Sequence, residues 1–200
     1  MPNETQTGAE RRQQIILEAH PELLAIPVRA ERILNDNIRF TVKSARLYRL
    51  ADEMKAMLDP FVVCGPGCSH CCHMPTMVFQ HEADAMAVAA HRKARRLKFR
   101  LMPLALHAAG AYRGQPCPFL LEGRCSIYDH RPLICRLHNS LNDDPQDCLI
   151  TNGVTSQAIR AIDPDMVEMP YLYAVLSWKP TEPWGAIQEF FPSGVAHHEG

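Results

Sequence analysis

The sequence predicts a mainly α protein, its helices packed around an irregular cysteine-rich centre with one small β-hairpin. Three observations lead there. Apolar residues recur at helical spacing outside residues 64–148, all eight cysteines fall inside that stretch, and two short β-type runs flank Glu122-Gly123. With 200 residues, 46% of them hydrophobic, the chain can bury a core as one globular unit. Charged residues make up 22% and the formal net charge is −1, which gives no electrostatic reason to expect a membrane or nucleic acid as partner. The stretch MPNETQTGAERRQQ lacks the apolar region of a secretory signal, and no apolar run reaches the roughly 20 residues of a membrane-spanning helix. A cytoplasmic protein is expected.

In chain order, residues 10–36 read as helix broken at Pro21 and Pro27. Residues 37–59 read as a longer helix, with Leu47, Leu50, Ala51, Met54, Met57 and Leu58 on one face and Pro60 ending it. Cys64 to Pro75 has no periodicity and is a loop, in which Gly65 and Gly67 supply unusual backbone angles. Helices follow over 80–96 and 97–112. The hairpin comes next. A three-residue turn at 122–124, pairing Leu121 with Cys125, sends Cys117 and Cys125 to the apolar side and is preferred to a two-residue turn pairing Leu120 with Cys125. Pro132 suits the first turn of a short helix carrying Cys135, and helices are expected at 153–162, 169–178 and 184–191. The expected division is an N-terminal helical extension over 1–59, a cysteine-cluster domain over 60–150 and a C-terminal helical segment over 151–200.

Eight cysteines in a reducing compartment argue against a disulfide framework and for metal. The first group is Cys64-x3-Cys68-x2-Cys71-Cys72, and the second is Cys117, Cys125 and Cys135, with Cys148 beyond. Buried reduced thiols explain a lone cysteine better than four cysteines in nine residues. Zinc takes four thiolates tetrahedrally at about 2.3 Å, and iron–sulfur clusters also favour four. Adjacent side chains such as those of Cys71 and Cys72 diverge, so both rarely serve one mononuclear ion. A four-thiolate centre carries a charge of about −2, which Arg124, Arg131 and Arg136 are placed to offset. Cys135, near a helix N-terminus, would have its thiolate favoured by the dipole.

These residues resemble the YkgJ-type cysteine-cluster family, the zinc- or iron-chelating CxxCxxCC domain. Cys64, Cys68, Cys71 and Cys72 are similar to its first motif, with one residue more between the first two. PCPFL (Pro116 to Leu120), Gly123, CSIY (Cys125 to Tyr128) and RPLICR (Arg131 to Arg136) are similar to its second, and Cys148 takes the place of the eighth cysteine. The resemblance covers about 64–148 and implies metal binding without naming a reaction. Flagellin lysine methylation is attached to relatives sharing the motif, but this chain has no Gly-rich loop for a methyl donor.

The ligands expected are therefore Cys64, Cys68, Cys71, Cys72, Cys117, Cys125, Cys135 and Cys148, holding Zn2+ or an iron–sulfur cluster, with iron favoured because eight thiols exceed the needs of one structural zinc. Three roles follow: a redox protein, a zinc-stabilised adaptor, or a metal-dependent protein-modifying enzyme. His70, His73, His130 and His138 flank cysteines but are expected at the surface or beside the ligands. The basic run in His91–Arg100 reads as a solvated helix face, with RNA or an acidic partner as the other reading. Glu82 lies at a helix start, where it favours the dipole and can accept from an amide beside the cluster.

Overall fold

The computed structural model describes residues 7–65, 67–151, 154–155 and 159–192. Among these the fold is mainly α, as expected, and the described residues cluster into two compact units. One comprises those of Met1–Gly65, Arg136–Cys148 and Thr155–Pro180, the other those of Pro66–Cys135, Leu149–Val154 and Thr181–Gly200. None of the described helices is long and apolar enough to cross a membrane.

The first unit is helical. α1 (Gly8–Ala19) opens with a capping box in which Glu10 N–H donates to Thr7 Oγ1 at 3.3 Å and Thr7 N–H donates to Glu10 Oε2 at 2.8 Å. A 3-10 turn at Pro21–Ala25 leads into α2 (Ile26–Asn35). Pro27 does not break this helix. It sits in its first turn, where a missing N–H costs nothing. α3 (Phe40–Leu58) buries Leu47, Leu50, Ala51, Met54 and Leu58, the face expected from spacing. α7 (Asp165–Trp178) packs on α2 and α3. It starts a turn earlier than expected because the Asp163 carboxylate accepts from Asp165 N–H at 2.9 Å, and it carries Pro170 inside. Buried Asn139 pins the chain by accepting from Ile162 N–H and donating to the carbonyls of Leu137 and Ile162. The helix expected at 153–162 does not form where it is described. Ile150–Thr151 and Val154–Thr155 are short strands, β4 and β5, and residues 159–162 are irregular, with Leu141 N–H donating to Arg160 O; the rest lies outside the described residues.

The second unit contains β1 (Met77–Phe79), antiparallel to β6 (Trp184–Ala186) in the register Val78 to Gly185. β6 occupies the start of the segment expected as helix 184–191, which shrinks to α8 (Ile187–Phe190). The core joins Val78, Ala83, Met86, Phe119, Ile127, Ile187, Phe190 and Phe191, with Cys117 and Cys125 packed against it.

α4 (Gln80–Ala89) stops well short of the expected Arg96. His91 takes φ +51°, its N–H closes on Val88 O, and Arg92 N–H closes on Ala87 O, which is a Schellman stop with histidine where glycine is usual. Beyond it, the buried Gln80 amide replaces helical bonding by donating to Arg95 O and accepting from Leu97 N–H, both at 3.1 Å. Residues 92–101 are irregular, and α5 (Met102–Ala109) is the only α-helix in the stretch expected as helix 97–112. Since histidine pays a Cβ penalty at positive φ, His91→Gly should raise the unfolding free energy by about 1 kcal/mol, read from the urea midpoint.

Candidate metal centre

The first group of cysteines begins in the first unit and runs into the second. Cys64 lines a cavity of about 10 Å³ with Met54, Leu58, Val62, His138 and Asn139, room for about one water. Burial depresses the His138 pKa, keeping the ring neutral. Of the two loop glycines only Gly67 takes an unusual angle, φ +93°; Gly65 does not. A 3-10 turn at His70–His73 then carries Cys71 and Cys72, fixed by Cys72 N–H donating to Ser69 O and Met74 N–H donating to Cys71 O. In this turn the adjacent side chains do not diverge to separate faces, and the Cys71 and Cys72 thiols hydrogen-bond each other.

The second group meets the first through the backbone. Cys117 N–H donates to Cys72 O at 2.7 Å, and Gly114 N–H donates to His73 O at 2.9 Å. The hairpin that follows corrects the expected register. β2 (Leu120–Leu121) and β3 (Arg124–Cys125) pair Leu120 with Cys125 and Leu121 with Arg124 around the two-residue turn Glu122-Gly123, both residues at positive φ. Cys117 nevertheless shares the apolar side with Cys125. It lies outside the strand, in a turn closed by Leu120 N–H donating to Cys117 O, so strand alternation does not govern it. α6 (Leu133–Leu137) carries Cys135 just after Pro132, as expected.

Buried Glu82 links two of these elements. Its carboxylate accepts from Phe79 N–H at 3.0 Å and from Leu133 N–H at 3.1 Å, so the start of α4 and the start of the Cys135 helix share one side chain. Both roles foreseen for it are present.

Five thiols form one electrostatic cluster. Cys71 is held far above the ordinary thiol range, first by the bond with Cys72, then by burial and the neighbouring Cys72 charge. Burial pushes Cys117 up to about 11, with Cys125 and Cys71 adding repulsion. Cys125 is raised by burial and by Cys71. Cys135 is raised well above the usual value by burial, then by Cys71, Cys117 and Cys125. The helix-dipole expectation for Cys135 therefore fails, because desolvation of its partly buried thiol, with repulsion from Cys71, Cys117 and Cys125, outweighs the dipole. Of the three arginines expected to offset the cluster, Arg131 does so, lowering Cys71, Cys125 and Cys135 from its place over the Tyr128 ring. Arg136 pairs instead with Asp52 at 2.6 Å in the first unit. Arg92, read from sequence only as part of a basic run, lies over the Phe119 and Phe191 rings and lowers Cys117. No periodic signal marked it.

A thiol raised above its unfolded value favours the fold while protonated. That contribution is present below about pH 8.5 and disappears as pH climbs through the folded value, about 11 for Cys117. Metal-free protein should therefore lose melting temperature between about pH 9 and 11.

Cys68 lies in the second unit, whereas Cys148 is buried in the first, in a 3-10 turn at Pro145–Cys148. None of the eight cysteines is in a disulfide. Among the described residues no three His, Cys, Asp or Glu side chains are arranged to grip one ion in common. The fit to a metal is therefore one of donor chemistry, soft thiols near enough to raise one another's pKa.

A family model matches residues 63–157, a little under half of the chain. This segment is similar to the CxxCxxCC family. The family is described as "Putative zinc- or iron-chelating domain". The CxxCxxCC match spans all eight cysteines and both halves of the Cys72–Cys117 backbone contact. No curated protein and no solved structure matches the chain.

Proposed function

We propose that the second unit chelates iron or zinc through Cys68, Cys71, Cys72, Cys117, Cys125 and Cys135, and that the centre is a polynuclear iron site serving electron transfer. The observation that carries this is the cluster of five mutually repelling thiols drawn from three separate stretches of chain. One tetrahedral zinc uses four thiolates, so a fifth inside the same cluster favours more than one metal atom. The side-by-side Cys71–Cys72 pair supports the same choice. When bound, such a group would supply reversible one-electron chemistry. The chain's own residues gather the thiols, partly desolvate Cys135 and Cys117, and supply Arg131 against the negative charge of the thiolates.

Anaerobic purification with metal analysis, optical spectra and EPR tests the reading. Iron with inorganic sulfide and a reversibly reducible EPR signal is expected. A colourless protein with stoichiometric zinc would replace it with a structural zinc site, and full-length protein without either metal would defeat chelation altogether.

A further inference from the structure

We propose that residues 93–106 dock the protein on the surface of an anionic lipid bilayer. The charge balance of the whole chain averages over a local excess. No Asp or Glu occurs between Asp84 and Glu122, and that interval holds Arg92, Lys93, Arg95, Arg96, Lys98, Arg100 and Arg113, the first six within nine residues. Three of these cations are engaged within the unit. Arg92 lies over Phe119 and Phe191, Arg96 pairs with Asp84 at 2.7 Å, and Arg100 pairs with Glu189 at 2.7 Å. Lys93, Arg95 and Lys98 stay exposed, and among the described residues no carboxylate pairs with them.

The apolar residues that follow are turned outward. Phe99, Leu101, Met102, Leu104 and Leu106 are 47% to 64% exposed, while α5 buries only Ala105 and Ala109. This inverts the usual arrangement of a soluble amphipathic helix, which hides its large side chains. An exposed apolar cluster of this size beside unpaired cations marks an interaction surface. The spacing of the side chains chooses the partner. Met102 and Leu106 share one flank of the Ala105–Ala109 stripe, and Leu101 and Leu104 share the other. A bilayer takes the apolar side chains of both flanks into its interface and places anionic headgroups against Lys93, Arg95 and Lys98.

The test uses full-length protein and sedimentation with vesicles of phosphatidylcholine alone or mixed equally with phosphatidylglycerol. Binding to the mixed vesicles should exceed binding to the neutral ones at least about tenfold and weaken with added salt. Each of K93A and K98A should lower it about fivefold. Leu104→Gln with Leu106→Gln, both at exposed positions, should abolish it while circular dichroism and melting stay unchanged. Equal binding to both vesicle types, no binding, or indifference to these substitutions overturns the proposal. So does capture of an acidic amphipathic peptide by a protein that ignores vesicles.

Discussion

Cys71→Ser protein is expected to lose metal affinity by about a hundredfold or more while keeping its helical circular dichroism. Cys71 is the thiol whose charge is felt by Cys117, Cys125 and Cys135 alike, and it bonds directly to Cys72. Structural zinc sites bind with about 10–16 kcal/mol, which spread over four thiolates is about 3 kcal/mol each, or two orders of magnitude. Serine preserves size and hydrogen bonding but binds these metals poorly, so the change isolates ligation from packing. Competition with a chromophoric chelator measures it. Unaltered affinity would remove Cys71 from the ligand set.

Glu82→Ala is expected to lower the unfolding free energy by about 3 kcal/mol. Its carboxylate serves two buried backbone donors, Phe79 N–H and Leu133 N–H, and each charge-assisted bond contributes about 1.5–3 kcal/mol. Because Leu133 opens the helix carrying Cys135, metal affinity should also fall, by about tenfold, the range seen when groups orienting a ligand are removed. Glu82→Gln retains one oxygen acceptor but turns an N–H2 group toward one of the donors, so it should lose roughly half as much stability. Urea unfolding of metal-free protein separates the packing effect from the metal effect. If Glu82→Ala melts like the parent, the bridge has no energetic role.

The helices with clean apolar spacing were legible. Leu47, Leu50, Ala51, Met54 and Leu58 repeat at the helical period and are buried as that period requires. Where reading failed, non-local bonds had replaced local preference. Nothing near Arg92 signals that α4 has ended, since the stop uses a histidine at positive φ and a glutamine at its far end. The hairpin misreading came from extending strand alternation to Cys117, which belongs to a turn. Glu122-Gly123, both in the left-handed region, is the chemistry of a two-residue turn and outweighs the facing of one side chain. At the site, spacing located the cysteines but not which of them interact. That Arg136 is taken up by Asp52, 84 residues away in sequence, is not readable from the motif. Side-chain burial, which decides the fate of the Cys135 thiol, has no signature in the motif itself.

The pairing of β1 with β6 bears on what counts as an autonomous piece of this chain. The family boundary ends at 157, yet β1 takes its strand partner from 184–186, and Phe119 shares its interior with Phe190 and Phe191. Expressed as a fragment, 63–157 would present Val78, Met86 and Phe119 to water and invite aggregation. The stretch recognisable by its cysteines is thus shorter than the stretch that packs as one interior, and residues 184–191 are structural subscribers to that interior.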